Sequence, residues 1–411
     1  MSGLIWRPTW KIVLVAALAC ALGATLILSP RLIRVYRVLT MFEEDVIVEN
    51  FLHIENVFPL ATMTASPEPF RFEHGDPISL PNEFPYQSEI INTKAHFAET
   101  NTTGILVVHN GKIALEDYYR GHRAEGHHIS WSMVKSFVSA LVGIALAEGA
   151  FESIEDPITR YVPKLKGSGY DGVRIKDILQ MSSGVKFNED YGDFHSDINR
   201  FGRLLAMGGS LDDFAASLER EVEPGTRHHY VSIDTQVLGM LLVRTTGQSL
   251  TRYMEEKLWH PLGMEYPGYF VVDDDGMELA LGGLNAALRD YAKLGYLYLN
   301  GGRLDGRQVV PEQWVKDSVT PDAPHLLPGA DNPLSTTPWG YGYQWWIPTD
   351  PDGEFMAVGI YNQFIYVYPR KSLVIVKNTA NHHYNEDRDR YKGIDLALFR
   401  AIASSIQKLS R

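Results

Sequence analysis

Residues 131–149 read WSMVKSFVSALVGIALAEG. From Ser132 to Glu148 the run is apolar on almost every face and stops at Gly149, which predicts a buried helix with a glycine stop. Ser132 and Lys135 form Ser-x-x-Lys, which puts a hydroxyl and an amine one helical turn apart, close enough to share a proton. The pattern occurs three times, at Ser132–Lys135, Ser183–Lys186 and Ser405–Lys408, so context must separate the copies. Ser183 stands in a loop-like stretch, MSSGVKF, and Ser405 in a basic C-terminal turn. Only Ser132 is expected at the first turn of a buried helix, where free N–H groups face whatever binds there. Lys135 is the only lysine of its run, and the next acidic residue is Glu148, so burial should lower its pKa. Against this stands a plain reading, a snorkelling lysine beside a capping serine, which the pattern alone leaves open.

Outward from this helix, Gly104–Gly121 (GILVVHNGKIALEDYYRG) is two strand-like runs around Asn110-Gly111, a strong hairpin signal. From about 151 to 338 the chain reads as mostly helical, with candidate helices at Leu211–Arg220, Ile233–Thr246, Leu250–Leu258, Asn285–Leu299 and Pro311–Val319. Strand-like runs return at Gly342–Ile347, Phe355–Gly359, Phe364–Tyr368 and Leu373–Lys377, before a last helix to about Leu409. Strands at both ends with helices between predict an α+β domain over 100–411. Its antiparallel sheet is flanked by helices and interrupted by a helical insertion. Residues 42–99 are Pro-rich and read as an irregular arm over this body.

The first 41 residues belong to neither. Ile12–Leu28 (IVLVAALACALGATLIL) carries no charge and as a helix reaches about 26 Å, slightly under the roughly 30 Å hydrocarbon layer. Trp6 and Trp10 are placed to sit at the interface. A retained single-pass anchor is favoured over a cleaved signal peptide, because the run exceeds a usual h-region and no small-x-small site precedes Pro30. Cys20 lacks the large aliphatic residue three positions earlier that lipoprotein sites carry. Arg7 and Lys11 on one side and Arg31, Arg34 and Arg37 on the other leave the orientation undecided by charge. The expected location is the membrane, with the catalytic domain on the extracytoplasmic side. Residues 31–41 (RLIRVYRVLTM) either lie along the membrane surface or extend the anchor helix.

With 38 Lys+Arg against 50 Asp+Glu in 411 residues, the net charge is −12, which argues against non-specific nucleic-acid binding. One cysteine excludes an intramolecular disulfide and any Cys-based metal site. The His-His pairs at 127–128, 228–229 and 382–383 lack a converging ligand set and are expected on solvent-facing loops, with His228 and His229 adjoining Tyr230 so that either can line a cleft. No metal and no cofactor are expected. Trp339, Tyr341, Tyr343, Trp345 and Trp346 read as sheet core and cleft wall.

Tyr230 follows the turn former Pro224-Gly225 and precedes a helix. A tyrosine beside a lysine loses its proton more readily and can pass it to a leaving group. A packed aromatic with Ser232 as an ordinary N-cap is the plain alternative. Ser132-Met133-Val134-Lys135, Tyr230-Val231-Ser232 and Ala357-Val358-Gly359 followed by Ile360-Tyr361-Asn362-Gln363 resemble the three motifs of serine β-lactamase-related (penicillin-binding-protein-like) hydrolases. The resemblance is nearest to the branch of 6-aminohexanoate-dimer hydrolase and related esterases. Asp177–Val185, Gly282–Gly302 and Trp339–Trp346 support it. It implies a β-lactamase/penicillin-binding-protein-like fold, with Ser132 as acylated nucleophile, Lys135 as general base and Tyr230 as proton shuttle. It also implies an oxyanion hole of the Ser132 and Ile360 N–H groups, with Ser232 and Gly359 lining the substrate site. Tyr191, in FNEDYGDF, resembles the tyrosine that closes over a leaving amide.

Three departures bear on substrate. Ser232 stands where penicillin-binding proteins and β-lactamases usually have Asn, Ala357 and Val358 stand where they have Lys and Thr, and Asn362 replaces a common Gly. The cation and hydroxyl that dock a substrate carboxylate are thus missing from the third motif, which disfavours β-lactams. Asn362 tolerates a positive φ, or narrows the cleft. The reading is a membrane-anchored serine hydrolase acting on a small-molecule ester or linear amide. A β-lactamase or D,D-peptidase is the alternative enzyme, and a catalytically silent ligand-binding sensor the alternative of another class.

Overall fold

The computed structural model describes the backbone of residues 10–409, and the side chains of these except at 11–12, 20–29 and 407–409. Its centre is an eight-stranded sheet. In chain order the strands are β1 (Glu73–His74), β2 (Thr102–His109), β3 (Lys112–Tyr118), β4 (Gly340–Tyr341), β5 (Trp346–Ile347), β6 (Phe355–Gly359), β7 (Gln363–Tyr368) and β8 (Leu373–Thr379). In space they run β4-β5-β6-β7-β8-β2-β3-β1, antiparallel throughout except for the short edge strand β1, which is parallel to β3. The hairpin forms where the sequence places it. Asn110 (φ 50°) and Gly111 (φ 74°) both take the left-handed conformation that a two-residue turn of this hand needs.

Period-2 alternation sorts the sheet's side chains to two cores. Leu106, Val108, Ile365, Val367, Val374 and Val376 face one way and pack with the helix Leu288–Leu299. Ile105, Val107, Phe364, Tyr366, Leu373 and Ile375 face the other and meet Ile394, Leu398, Phe399 and Ile402 of the C-terminal helix Arg388–Leu409. Burying each of these aliphatic side chains contributes about 1.5–3 kcal/mol.

The other helices used below are, in chain order, α1 (Trp10–Leu39), α2 (Val134–Ala147), α3 (Asp197–Ala206) and α4 (Ser232–Thr246), so Leu288–Leu299 becomes α5 and Arg388–Leu409 α6. α2 packs on α4 beside the sheet, and both are buried along most of their length. The stretch expected as a helix at Asn285–Leu299 begins only at Leu288, because Leu284–Ala286 is a strand of a second, four-stranded sheet. Leu250–Met254 is helical and passes into a π turn at Glu255–Trp259. Residues 42–99 are less irregular than their proline content suggests. They hold the helix Ile47–Leu52, the strand Leu60–Met63 and the hairpin Glu83–Tyr86/Glu89–Asn92, and Ile47, Phe51 and Ile54 are core residues.

α1 is one continuous helix, so residues 31–39 extend it. Its C-terminal end docks on the body, packing on α3 and pairing Arg34 with Asp274 at 2.7 Å. Among the described residues no helix is long and apolar enough to cross a membrane. Much of the Ile12–Leu28 run, including Cys20, lies outside the described side chains, as Trp6 lies outside the described residues.

Candidate active site

Ser132 sits in a 3₁₀ turn, Trp131–Met133, that runs directly into α2. It therefore lies just ahead of the α-helix rather than in its first turn. Trp131 holds φ 44°, rare for a bulky residue, and is kept there by ring contacts with Phe51 (5.4 Å between centroids) and Phe42 (5.8 Å). Lys135 is fully enclosed. Its Nζ donates to Ser132 Oγ at 2.9 Å, to the Leu281 carbonyl at 2.6 Å and to Ser232 Oγ at 3.3 Å. All three acceptors are neutral, so nothing in direct contact repays the loss of hydration. Burial pushes the amine down to about 7, against the weaker opposing pull of Glu189 and Asp234.

Tyr230 precedes α4, its ring stacked on Trp346 at 5.3 Å, with Lys135 Nζ 5.4 Å from its centroid. Here the sequence expectation is corrected. Burial, and then Glu189, push the phenol well above its ordinary range, despite favourable bonds to Ser132 and Ser232, so Tyr230 stays a neutral O–H. Ser232 at the start of α4 donates its N–H to Glu189 Oε2 at 3.0 Å and its O–H to Oε1 at 2.5 Å. Tyr191 donates to the same Oε1 at 2.7 Å. Glu189, unremarked in sequence, is thus the carboxylate that ties the second motif to the Tyr191 loop. Its only local signal is its place two residues before Tyr191. Gln344 was also missed: it accepts from Thr235 of α4 through Oε1 (2.7 Å) and from Ser136 of α2 through its carbonyl (2.7 Å).

The third motif lies on β6. A Cβ at Gly359 would stand 2.5 Å from the Ser130 carbonyl, so only glycine lets this strand approach the nucleophile turn so closely. Beyond it Tyr361 (φ 59°) and Asn362 (φ 66°) turn the chain into β7. Asn362 does not narrow the cleft. Its buried side chain donates to Asp395 at 2.9 Å and accepts from Asn381 at 2.9 Å, beneath the hairpin.

These elements enclose a cavity of about 250 Å³ bordered by Ser132, Glu189, Tyr191, Tyr230, Val358, Gly359 and Ile360. Lys135 and Ser232 lie just behind its wall. Val358 makes one side apolar as expected, but Arg388 and Lys392 of α6 also border the cavity. The third motif itself carries no cation, as the sequence shows; those that border the cavity arrive from the far end of the chain. Lys392 lies over the Trp339 ring at 4.6 Å and pairs with Asp389 at 3.2 Å.

Of the other two Ser-x-x-Lys copies, Ser183–Lys186 forms no comparable pair, and the Lys408 side chain of the third lies outside the described ones. Ser183 is buried but Lys186 is exposed, while Ser405 Oγ donates to the Ile402 carbonyl within α6. The histidine pairs are less solvent-facing than expected. His128 and His228 are fully buried, and burial pushes each down to about 3. His229 borders the cleft, bonded to the Phe187 carbonyl at 2.9 Å. Among the described residues no three His, Cys, Asp or Glu side chains converge as a metal site.

A family model described as Beta-lactamase matches residues 93–398. A curated relative, 6-aminohexanoate-dimer hydrolase of Paenarthrobacter ureafaciens, is 29% identical over 285 residues, 68% of this chain and 72% of the relative. A solved Bacillus anthracis structure, described as a candidate 6-aminohexanoate-dimer hydrolase, superposes with a TM-score of 0.79 at 25% identity, covering 90% of this chain and 96% of that one. A class C β-lactamase shares the fold, with a TM-score of 0.54 at 18% identity over 74% of this chain and 93% of its own.

Proposed function

Since the chain belongs to the Beta-lactamase family and is a serine hydrolase, we propose that it cleaves an ester or linear amide through an acyl-enzyme on Ser132. The observation that carries this reading is Lys135, buried at 2.9 Å from Ser132 Oγ with only neutral acceptors around it. As a neutral amine it donates to Leu281 and Ser232 and keeps its lone pair for the Ser132 proton. Ser132 Oγ attacks the carbonyl carbon as that proton moves to Lys135 Nζ. The N–H groups of Ser132 and Ile360 receive the oxyanion. The raised phenol of Tyr230 gives its proton to the departing nitrogen or oxygen and is reprotonated from Lys135. Water then hydrolyses the acyl-enzyme. Ser232 and Tyr191, held on Glu189, and Gly359 shape the site around these steps.

The proposal includes a membrane anchor at residues 12–28, with the catalytic domain on the extracytoplasmic side; the uncharged run supports it. Retention of the full-length chain in the membrane pellet after alkaline wash, and its release on deletion of residues 1–30, is the expected result.

The test of the chemistry is labelling with a fluorophosphonate probe. Label is expected on Ser132 and is lost in Ser132→Ala, together with ester turnover. Label at Ser183, or persisting in Ser132→Ala, defeats the reading. Arg388 and Lys392 beside the cavity favour a second reading, a β-lactamase or D,D-peptidase, since they offer a carboxylate a cation. Comparing kcat/KM for p-nitrophenyl butyrate and nitrocefin separates the two. The ester is expected to exceed nitrocefin by about thirtyfold or more, the size of one lost charge-assisted contact.

A further inference from the structure

Ser132 borders a second cavity, of about 300 Å³, which Tyr230 does not line. Ser132, Tyr191 and Ile360 border both cavities and so form the partition between them. The second is apolar: Phe42, Ile198, Phe201 and Leu281 line it, and Val38 of α1 closes one wall. Its one cation, Arg203, is turned to the Phe194 carbonyl at 2.7 Å and lies on the Phe194 ring, so no free charge faces an occupant. Gly202 of α3 also lines it, and a Cβ there meets nothing within 4 Å.

From this partition we infer that the apolar cavity is the acyl subsite, and that the substrate is an ester or amide of a medium-length fatty acyl group; this rests on the function proposed above. The side of attack decides the assignment. Tyr230 must reach the departing atom, and it borders only the polar cavity, so the leaving group lies there. The carbonyl carbon sits at Ser132, and the acyl chain continues across the partition into the apolar space. α1 thus supplies part of the active site, because Val38 lies in its last turn.

The test is a chain-length series with the full-length protein, p-nitrophenyl acetate to octanoate, in parallel with ethyl to octyl acetate. With a buried methylene contributing about 0.8 kcal/mol, kcat/KM should rise about fourfold per added acyl carbon until the cavity is full, and by about a hundredfold overall. Lengthening the alcohol of the acetates should give no such rise. Gly202→Phe fills the cavity, and its octanoate-to-acetate ratio should fall at least tenfold below that of Gly202→Ala. A flat acyl series with Ser132 still labelled by fluorophosphonate overturns this inference alone. A rise along the alcohol series instead of the acyl series overturns it too, assigning the space to the leaving group. No turnover of any ester and no label on Ser132 removes the proposed function and the acyl subsite together.

Discussion

Lys135 and Lys377 are both buried to 1% exposure or less, yet the molecule treats them in opposite ways. Lys377, on β8, donates to Asp395 of α6 at 2.7 Å, and that carboxylate also meets His96 at 2.9 Å and Asn362 at 2.9 Å. Burial pushes the Lys377 amine down while Asp395 pulls it back up; Asp395 itself is held below its ordinary range by Lys377 and His96 despite its burial. The result is a closed ionic network that pins α6 to the sheet and secures the hairpin after the third motif. Lys135 is enclosed among a serine pair and a carbonyl, with no carboxylate in contact, and burial takes it down to about 7. An enclosed lysine given a carboxylate holds the fold together; one denied it is driven toward its neutral form.

The largest expected effect tests the second half of that contrast. Lys135→Met keeps the volume and removes the amine, so kcat/KM for a short ester should fall about 10⁴-fold while the unfolding free energy moves by no more than about 1 kcal/mol. Steady-state kinetics beside denaturant melts check both. Lys377→Met should do the reverse, costing about 3–5 kcal/mol of stability because Asp395 is left buried and unpaired. Adding Asp395→Asn should restore part of that loss, and failure of the double variant to recover any stability would break the contrast.

A proton-transfer step distinguishes leaving groups. Tyr230→Phe should lower hydrolysis of a linear anilide about a hundredfold, since the nitrogen must be protonated as it departs. A p-nitrophenyl ester, whose phenolate leaves unaided, should lose only a few-fold. Equal losses would make Tyr230 a positioning residue. The smallest effect is a pH profile. The charged form of Lys135 cannot accept the Ser132 proton, so kcat/KM should fall about tenfold per unit below pH about 7 and level off above it. A plateau extending down to pH 5 would mean that Lys135 acts only as a fixed charge.

Much of this molecule follows local rules. Period-2 alternation in 102–109 and 373–379 assigns side chains to two faces, Asn110-Gly111 makes the turn, and the long pattern ending at Leu409 is one helix, as its spacing predicts. The order and spacing of the Ser132, Tyr230 and Gly359 motifs carry the family. Where local patterns competed, boundaries slipped: 285–287 reads as helix, yet 284–286 pairs with Gly268–Val271 and His128–Ile129 because an available strand edge outbid helix propensity.

The sequence by itself determined the strand and helix periods, the turns, and which residue types stand at the three motifs, because these depend on neighbours within a few positions. Only the tertiary structure decided the chemistry of those residues. Glu189 reaches Ser232 from 43 positions away, Arg388 and Lys392 enter the cleft from the last helix, and Val38 of the first helix and Phe42 just beyond its end line the second cavity. The phenol of Tyr230, expected to lose its proton readily beside a lysine, is driven the other way by enclosure. Hydration is lost to whatever the whole fold packs around a group, and that desolvation has no signature in the residues beside it.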